Sequence, residues 1–229
     1  YQKKLWNNLM NNLIKRFISS LIILPIALLF IINGSLFFMF FLSILFLVAS
    51  YEWIKMTEKI ILYKILGIFF LILSFYSAFL LRNYVGLNFF LFIILMSIFT
   101  DIGGYIFGNF FKGPKLTKIS PNKTYSGVIG SLLMPVFAGL LYIQYIKLPL
   151  GILVPLKLDT LSNNFDLNFL IMILSISIIS QLGDLTISYF KRLSKIKDTG
   201  KILPGHGGLL DRLDGLIFVI PISYLFIVS

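Results

Sequence analysis

Between Ser188 and Asp214 the chain gathers six cations, three carboxylates, four glycines and its only histidine into 27 residues, although only 13% of the whole sequence is charged. Charge held close to hydrocarbon costs free energy, so such a cluster is read first as a working site. Cations and glycine N–H groups suit phosphate, and carboxylates suit a divalent metal. The chemistry indicated is phosphate handling with a metal at a membrane surface.

Asp184 is the sharpest single position. It follows an apolar run, Leu170 to Leu182, interrupted only by serines and Gln181. A lone carboxylate there costs at least a few kcal/mol and needs a cation or metal beside it. Helical spacing puts Ser188 one turn on, with Lys191 and Arg192 two turns on. A metal or substrate role outweighs a buried structural salt bridge. Asp211 and Asp214, three apart, open the last apolar run. A helix dipole alone would favour one acid there, but two beside a glycine-rich turn read as metal ligands.

The turn itself, Pro204-Gly205-His206-Gly207-Gly208, lets backbone N–H groups approach a phosphate, while His206 either binds phosphate or holds the turn. A second polar loop, Lys112 to Gly127, carries four lysines and several hydroxyls, with Lys123 and Thr124 as candidate polyphosphate contacts. It lacks the G-x-x-x-x-G-K-[ST] spacing of a Walker A loop. Asp101 stands just ahead of Gly103-Gly104, where small residues permit close helix packing. Asp101 and Asp198 are supporting candidates. Glu52 and Glu58 sit beside Lys55 and Lys59 and are read as surface ion pairs, and Asp159 and Asp166 as solvated loop acids.

The elements that must position these groups are membrane helices. Mean hydropathy of +0.95 and 58% hydrophobic residues exclude an ordinary soluble domain. Runs near 17–33, 35–51, 60–81, 86–109, 126–148, 167–190 and 214–228 approach the roughly 17–25 residues that span hydrocarbon. The expected fold is therefore an all-α polytopic transmembrane bundle of about seven spans, with six to nine allowed. Asn33-Gly34 leaves only a tight turn between the first two runs, which reads as a helical hairpin. Residues 1–100 form N-terminal hydrophobic helices, and 101–229 a catalytic domain with cytoplasmic loops 110–125 and 191–213. With the N-terminus cytoplasmic, 17 of the 20 Lys and Arg face inward and only Arg82, Lys147 and Lys157 outward, the asymmetry of the positive-inside rule. The first run leads straight into another with no cleavage site, so no signal peptide is expected. The start at Tyr1 suggests a trimmed N-terminus.

The net charge of +11 is spread among interhelical loops, which suits lipid headgroups and argues against nucleic acid. Without cysteine and with one histidine, a metal would be hard and oxygen-bound, magnesium above all.

The segment from Ser188 resembles the signature of the phosphatidate cytidylyltransferase (CDP-diacylglycerol synthase) family. That pattern runs S-x-x-K-R, then K-D after four residues, then P-x-H-G-G-x-x-D-R-x-D. Ser188, Lys191, Arg192, Lys197, Asp198, Pro204, His206, Gly207, Gly208, Asp211, Arg212 and Asp214 fill every fixed position. Gln181-Leu-Gly-Asp-Leu185, Ser120-Pro-x-Lys-Thr124 and Thr100-Asp101 match as well, so the likeness covers roughly 100–214. Two family glutamates are replaced, by Ser126 and Ile187.

The resemblance implies transfer of a cytidylyl group from CTP to phosphatidic acid, giving CDP-diacylglycerol and pyrophosphate at the cytoplasmic face of a bacterial inner membrane. It implies magnesium on Asp184, Asp211 and Asp214, and a monovalent cation such as potassium near Ser188 and Asp214. Lys123, Thr124, Lys191, Arg192, Lys197, His206, Gly207, Gly208 and Arg212 would hold the phosphates. A homodimer is left open. The alternatives are another magnesium-dependent membrane phosphotransferase, of the CDP-alcohol or polyprenyl-phosphate type, and a transporter. The D-G-x-x-A-R core of the CDP-alcohol enzymes is absent. A transporter would need midplane acids and repeated halves.

Overall fold

The computed structural model describes residue 21 and residues 23–117, 120, 123–142, 167–200, 202 and 207–228. The expected roles of His206 and its neighbours Pro204 and Gly205 lie outside these residues. So do Lys147, Lys157, Asp159 and Asp166 of the outer loop.

Apolar residues on every side make each long segment a helix suited to hydrocarbon, where all backbone bonds must close internally. The helices are α1 (Ile23–Asn33), α2 (Ser35–Met56), α3 (Ile61–Leu80), α4 (Leu87–Phe111), α5 (Tyr125–Leu141), α6 (Leu167–Leu193), the single turn α7 (Leu210–Leu213) and α8 (Leu216–Val228). A π-helical turn, Leu81–Val85, extends α3. No strand occurs among the described residues; Lys115 and Thr124 form an isolated bridge.

Four helices, α2, α3 with its π turn, α4 and α6, are long and apolar enough to cross a bilayer. Over the described residues α1, α5 and α8 are shorter apolar helices. All seven coincide with the apolar runs of the sequence. Solvent exposure is inverted relative to a soluble protein. Leu36, Phe37, Phe69 and Phe110 are exposed, while Ser97, Thr100, Ser131, Ser177 and Ser180 are buried. Lipid imposes that arrangement, because polar groups must find partners inside. The protein is an integral membrane protein.

The chain divides into two compact units, each assembled from two stretches of sequence. The first comprises residues 1–75 and 190–213, and the second 76–189 and 214–229. In the first unit α1 turns back on α2 through Gly34, whose φ of 64° is open to glycine at no steric cost. Phe30 stacks on Phe41 across that turn, at 5.3 Å between ring centroids, as a hairpin requires. Trp53 donates to the Tyr63 carbonyl, and both rings pack on Phe190.

In the second unit α4 packs against α5 and α8. Serines tie in α6: Ser97 bonds Ser180, and Ser177 donates to the Ser131 carbonyl. Interhelical hydroxyl bonds of this kind hold apolar helices together where no hydrophobic drive separates them from lipid.

Candidate active site

In the second unit, three short motifs distant in sequence meet around one cavity of about 320 Å³. Thr100 and Asp101 come from α4, Lys123 and Thr124 from the loop entering α5, and Gln181 and Asp184 from α6. Thr124 caps α5, its hydroxyl accepting from the Gly127 N–H at 3.1 Å, so the lysine before it is held at the helix entrance. From there the Lys123 ammonium reaches Asp184 at 2.6 Å. Ser188, one turn further along α6, donates to the same carboxylate at 3.3 Å. Asp184 therefore has the cation its position demands. Gly183 lets the chain pass Asp214 closely, since a Cβ there would lie 2.7 Å from the Asp214 carbonyl oxygen. The Asp214 carboxylate accepts from the Gly215 N–H.

The first unit holds the rest of the signature. Lys191 donates to Asp211 Oδ1 at 2.7 Å. Asp211 Oδ2 accepts from the Thr199 N–H and the Gly208 N–H, with the Thr199 hydroxyl 3.1 Å away. Burial by itself would raise the Asp211 pKa. The Lys191 bond and charge and the backbone N–H groups outweigh it and hold this carboxyl below its ordinary value. Arg192, Lys197, Asp198 and Arg212 are exposed. Gly207, at φ 88°, sits in the left-handed region that glycine tolerates best.

Among the described residues no three His, Asp or Glu side chains gather closely enough to hold an ion. Asp211 lies in the other unit from Asp184 and Asp214 and is engaged by protein donors. On the cavity wall Asp101, Asp184 and the Thr124 hydroxyl offer hard oxygen, the donor set that suits magnesium.

The chain matches the cytidylyltransferase family over residues 57–229. It belongs to that family. It is 41% identical over 165 residues to a phosphatidate cytidylyltransferase of Brucella suis, covering 70% of this chain and 55% of that protein. With a phosphatidate cytidylyltransferase of Staphylococcus haemolyticus it shares 37% identity over 145 residues, 63% of this chain and 50% of the relative. The chain spans about half the length of these curated relatives.

Two residues outside the sequence-derived set join the signature residues of the first unit. Thr199 lies in the gap between signature positions and bonds Asp211. Glu52 is no surface ion pair: it is 1% exposed, and its oxygens accept from the Thr199 hydroxyl and from the N–H groups of Leu209 and Leu210. The rule applied to Asp184, that a carboxylate at the end of an apolar run must be partnered, would have found Glu52 too.

The two positions that depart from the family pattern have different surroundings. The Ser126 hydroxyl contacts Thr124 and accepts from the Gly113 N–H. Ile187 is 1% exposed. Glutamate introduced at 187 alone is expected to lose roughly 3 kcal/mol as an uncompensated buried charge, measured as thermal unfolding in detergent. Ser126→Glu with Ile187→Glu should cost less than the two singles summed. Strict additivity would mean the two departures are unrelated.

Proposed function

We propose that this protein transfers a cytidylyl group from CTP to phosphatidic acid, giving CDP-diacylglycerol and pyrophosphate. The observation that carries the reading is the convergence of the Thr100-Asp101, Lys123-Thr124 and Gln181-to-Asp184 motifs on one cavity, in a chain of the cytidylyltransferase family.

The chemistry asks little of a base. The lipid phosphate is already ionised, so one of its oxygens bonds the α-phosphorus of CTP as the α–β bridging bond breaks and pyrophosphate leaves. What the protein supplies is positioning and cancellation of charge between two anions. Lys123 is suited to a phosphate at the mouth of α5. Arg192, Lys197 and Arg212, being exposed, are suited to the phosphates of a soluble nucleotide. Magnesium, held by Asp184 with Asp101 on the cavity wall, would supply Lewis-acid stabilisation of the phosphates when bound. The resemblance adds Asp211 and Asp214 to that set and a monovalent cation near Ser188 and Asp214.

A site for one soluble and one lipid-borne substrate belongs at the cytoplasmic face, here of a bacterial inner membrane. A topology reporter inserted after Lys123 should read cytoplasmic. An external reading would overturn the orientation and the site's access to CTP. The activity is tested with the full chain purified in detergent, by following labelled CTP into lipid product with phosphatidic acid, with and without magnesium. No CTP-dependent product in magnesium and potassium would overturn the proposal.

A further inference from the structure

Glu52 stands on α2, ahead of the 57–229 stretch that matches the family, yet its carboxylate is built into the signature loop. Oε1 accepts from the Leu209 N–H at 3.0 Å, and Oε2 from the Leu210 N–H at 2.8 Å and the Thr199 hydroxyl at 2.9 Å. Two of these bonds satisfy N–H groups at the start of α7 that no helix bond closes. The same Thr199 hydroxyl lies 3.1 Å from Asp211 Oδ2, so one side chain touches both acids.

The loop has been shaped to admit this contact. A Cβ on Gly200 would come within 2.3 Å of Glu52 Oε1, and one on Gly208 within 2.6 Å of Oε2 and 2.0 Å of Thr199 Oγ1. Glu52 and Thr199 thus fill the space beside two of the four glycines in the 188–214 segment.

We propose that Glu52 is a positioning residue of the reaction, fixing through Thr199 and the Leu209 and Leu210 amides the turn that carries Asp211 to its partner Lys191 on α6. It touches backbone and Thr199 but none of the exposed cations Arg192, Lys197 or Arg212. Its loss should therefore leave ground-state binding of phosphate nearly intact and fall on turnover. Displacing reacting groups by an ångström costs up to about a hundredfold.

The inference rests on the cytidylyl-transfer reading, so its test has two readouts. In Glu52→Gln the side-chain NH2 must face one of the loop's N–H donors. For the full chain in detergent, that variant should lower kcat at least tenfold while the KM for CTP moves less than threefold. Glu58→Gln, at an exposed acid just beyond the end of α2, should stay within twofold of wild type. Hydrogen exchange should show protection lost across 207–213 in Glu52→Gln and kept in α4 and α5. Wild-type kcat in Glu52→Gln overturns the proposal. Loss of protection throughout the protein overturns it too, by making Glu52 a general stability residue. Should the wild-type protein itself turn over no CTP, the functional reading fails separately. Exchange then decides the clamp, and unchanged protection of Leu209 and Leu210 would sink it.

Discussion

Asp184→Asn is expected to lower turnover at least a hundredfold, about 2.7 kcal/mol of barrier, while the protein still inserts and folds. Asparagine preserves the shape and can still accept from Ser188, whose hydroxyl lies 3.3 Å from Oδ1. What it removes is the charge opposite Lys123, 2.6 Å away, and the hard anionic oxygen on the cavity wall. Helix α6 is docked by other groups: Ser177 on the Ser131 carbonyl, Ser180 on Ser97, and Gly183 against the Asp214 backbone. Folding should therefore be nearly unaffected. The measurement is conversion of labelled CTP with phosphatidic acid, paired with a monodisperse elution profile in detergent. Retention of more than a tenth of wild-type turnover would remove Asp184 from the reacting centre.

Asp184 is legible in sequence because it stands alone in an apolar run, whereas the main partners of both Asp184 and Glu52 lie far along the chain. Asp184 and Ser188 meet through helical periodicity, which any apolar run long enough to be a helix supplies. The spans themselves were legible for a similar reason, since hydrocarbon demands long uninterrupted apolar stretches and α2 to α4 and α6 comply. The cation for Asp184 comes from a loop 61 residues upstream (184 − 123), and no local period announces that pairing. Glu52 was hidden by its neighbours. Lys55 and Lys59 suggest a solvated surface, whereas the carboxylate is covered by a loop 147 residues further on. Asp211 stands out in the sequence, but its type and spacing fit a metal and a lysine equally well. Only the positions of Thr199, Gly208 and Lys191 reveal the partners it has in this structure.

The same limit governs glycine, and adjacent glycines on α4 make a test of it. In sequence Gly103 and Gly104 are equivalent, and replacing either by alanine should gain helix propensity of up to about 1 kcal/mol. In the structure they differ sharply. A Cβ on Gly104 meets nothing closer than Ser131 Cβ at 3.7 Å, an ordinary contact. A Cβ on Gly103 would lie 2.3 Å from the backbone oxygen of Gly130 and 2.7 Å from Met134 Cβ. Backbone cannot rotate aside as a side chain would, so α5 itself must move, and overpacking of this kind costs about 1–3 kcal/mol. Gly130 is as crowded from its own side, with Phe107 at 2.4 Å from its would-be Cβ. Because α5 begins at the Thr124 cap, any shift of its first turns carries Lys123 away from Asp184. Gly103→Ala is thus expected to lower the unfolding temperature in detergent and to reduce turnover more than tenfold, while Gly104→Ala unfolds at or above the wild-type temperature. Equal stability of the two variants would show that α4 and α5 do not approach as closely as these contacts require.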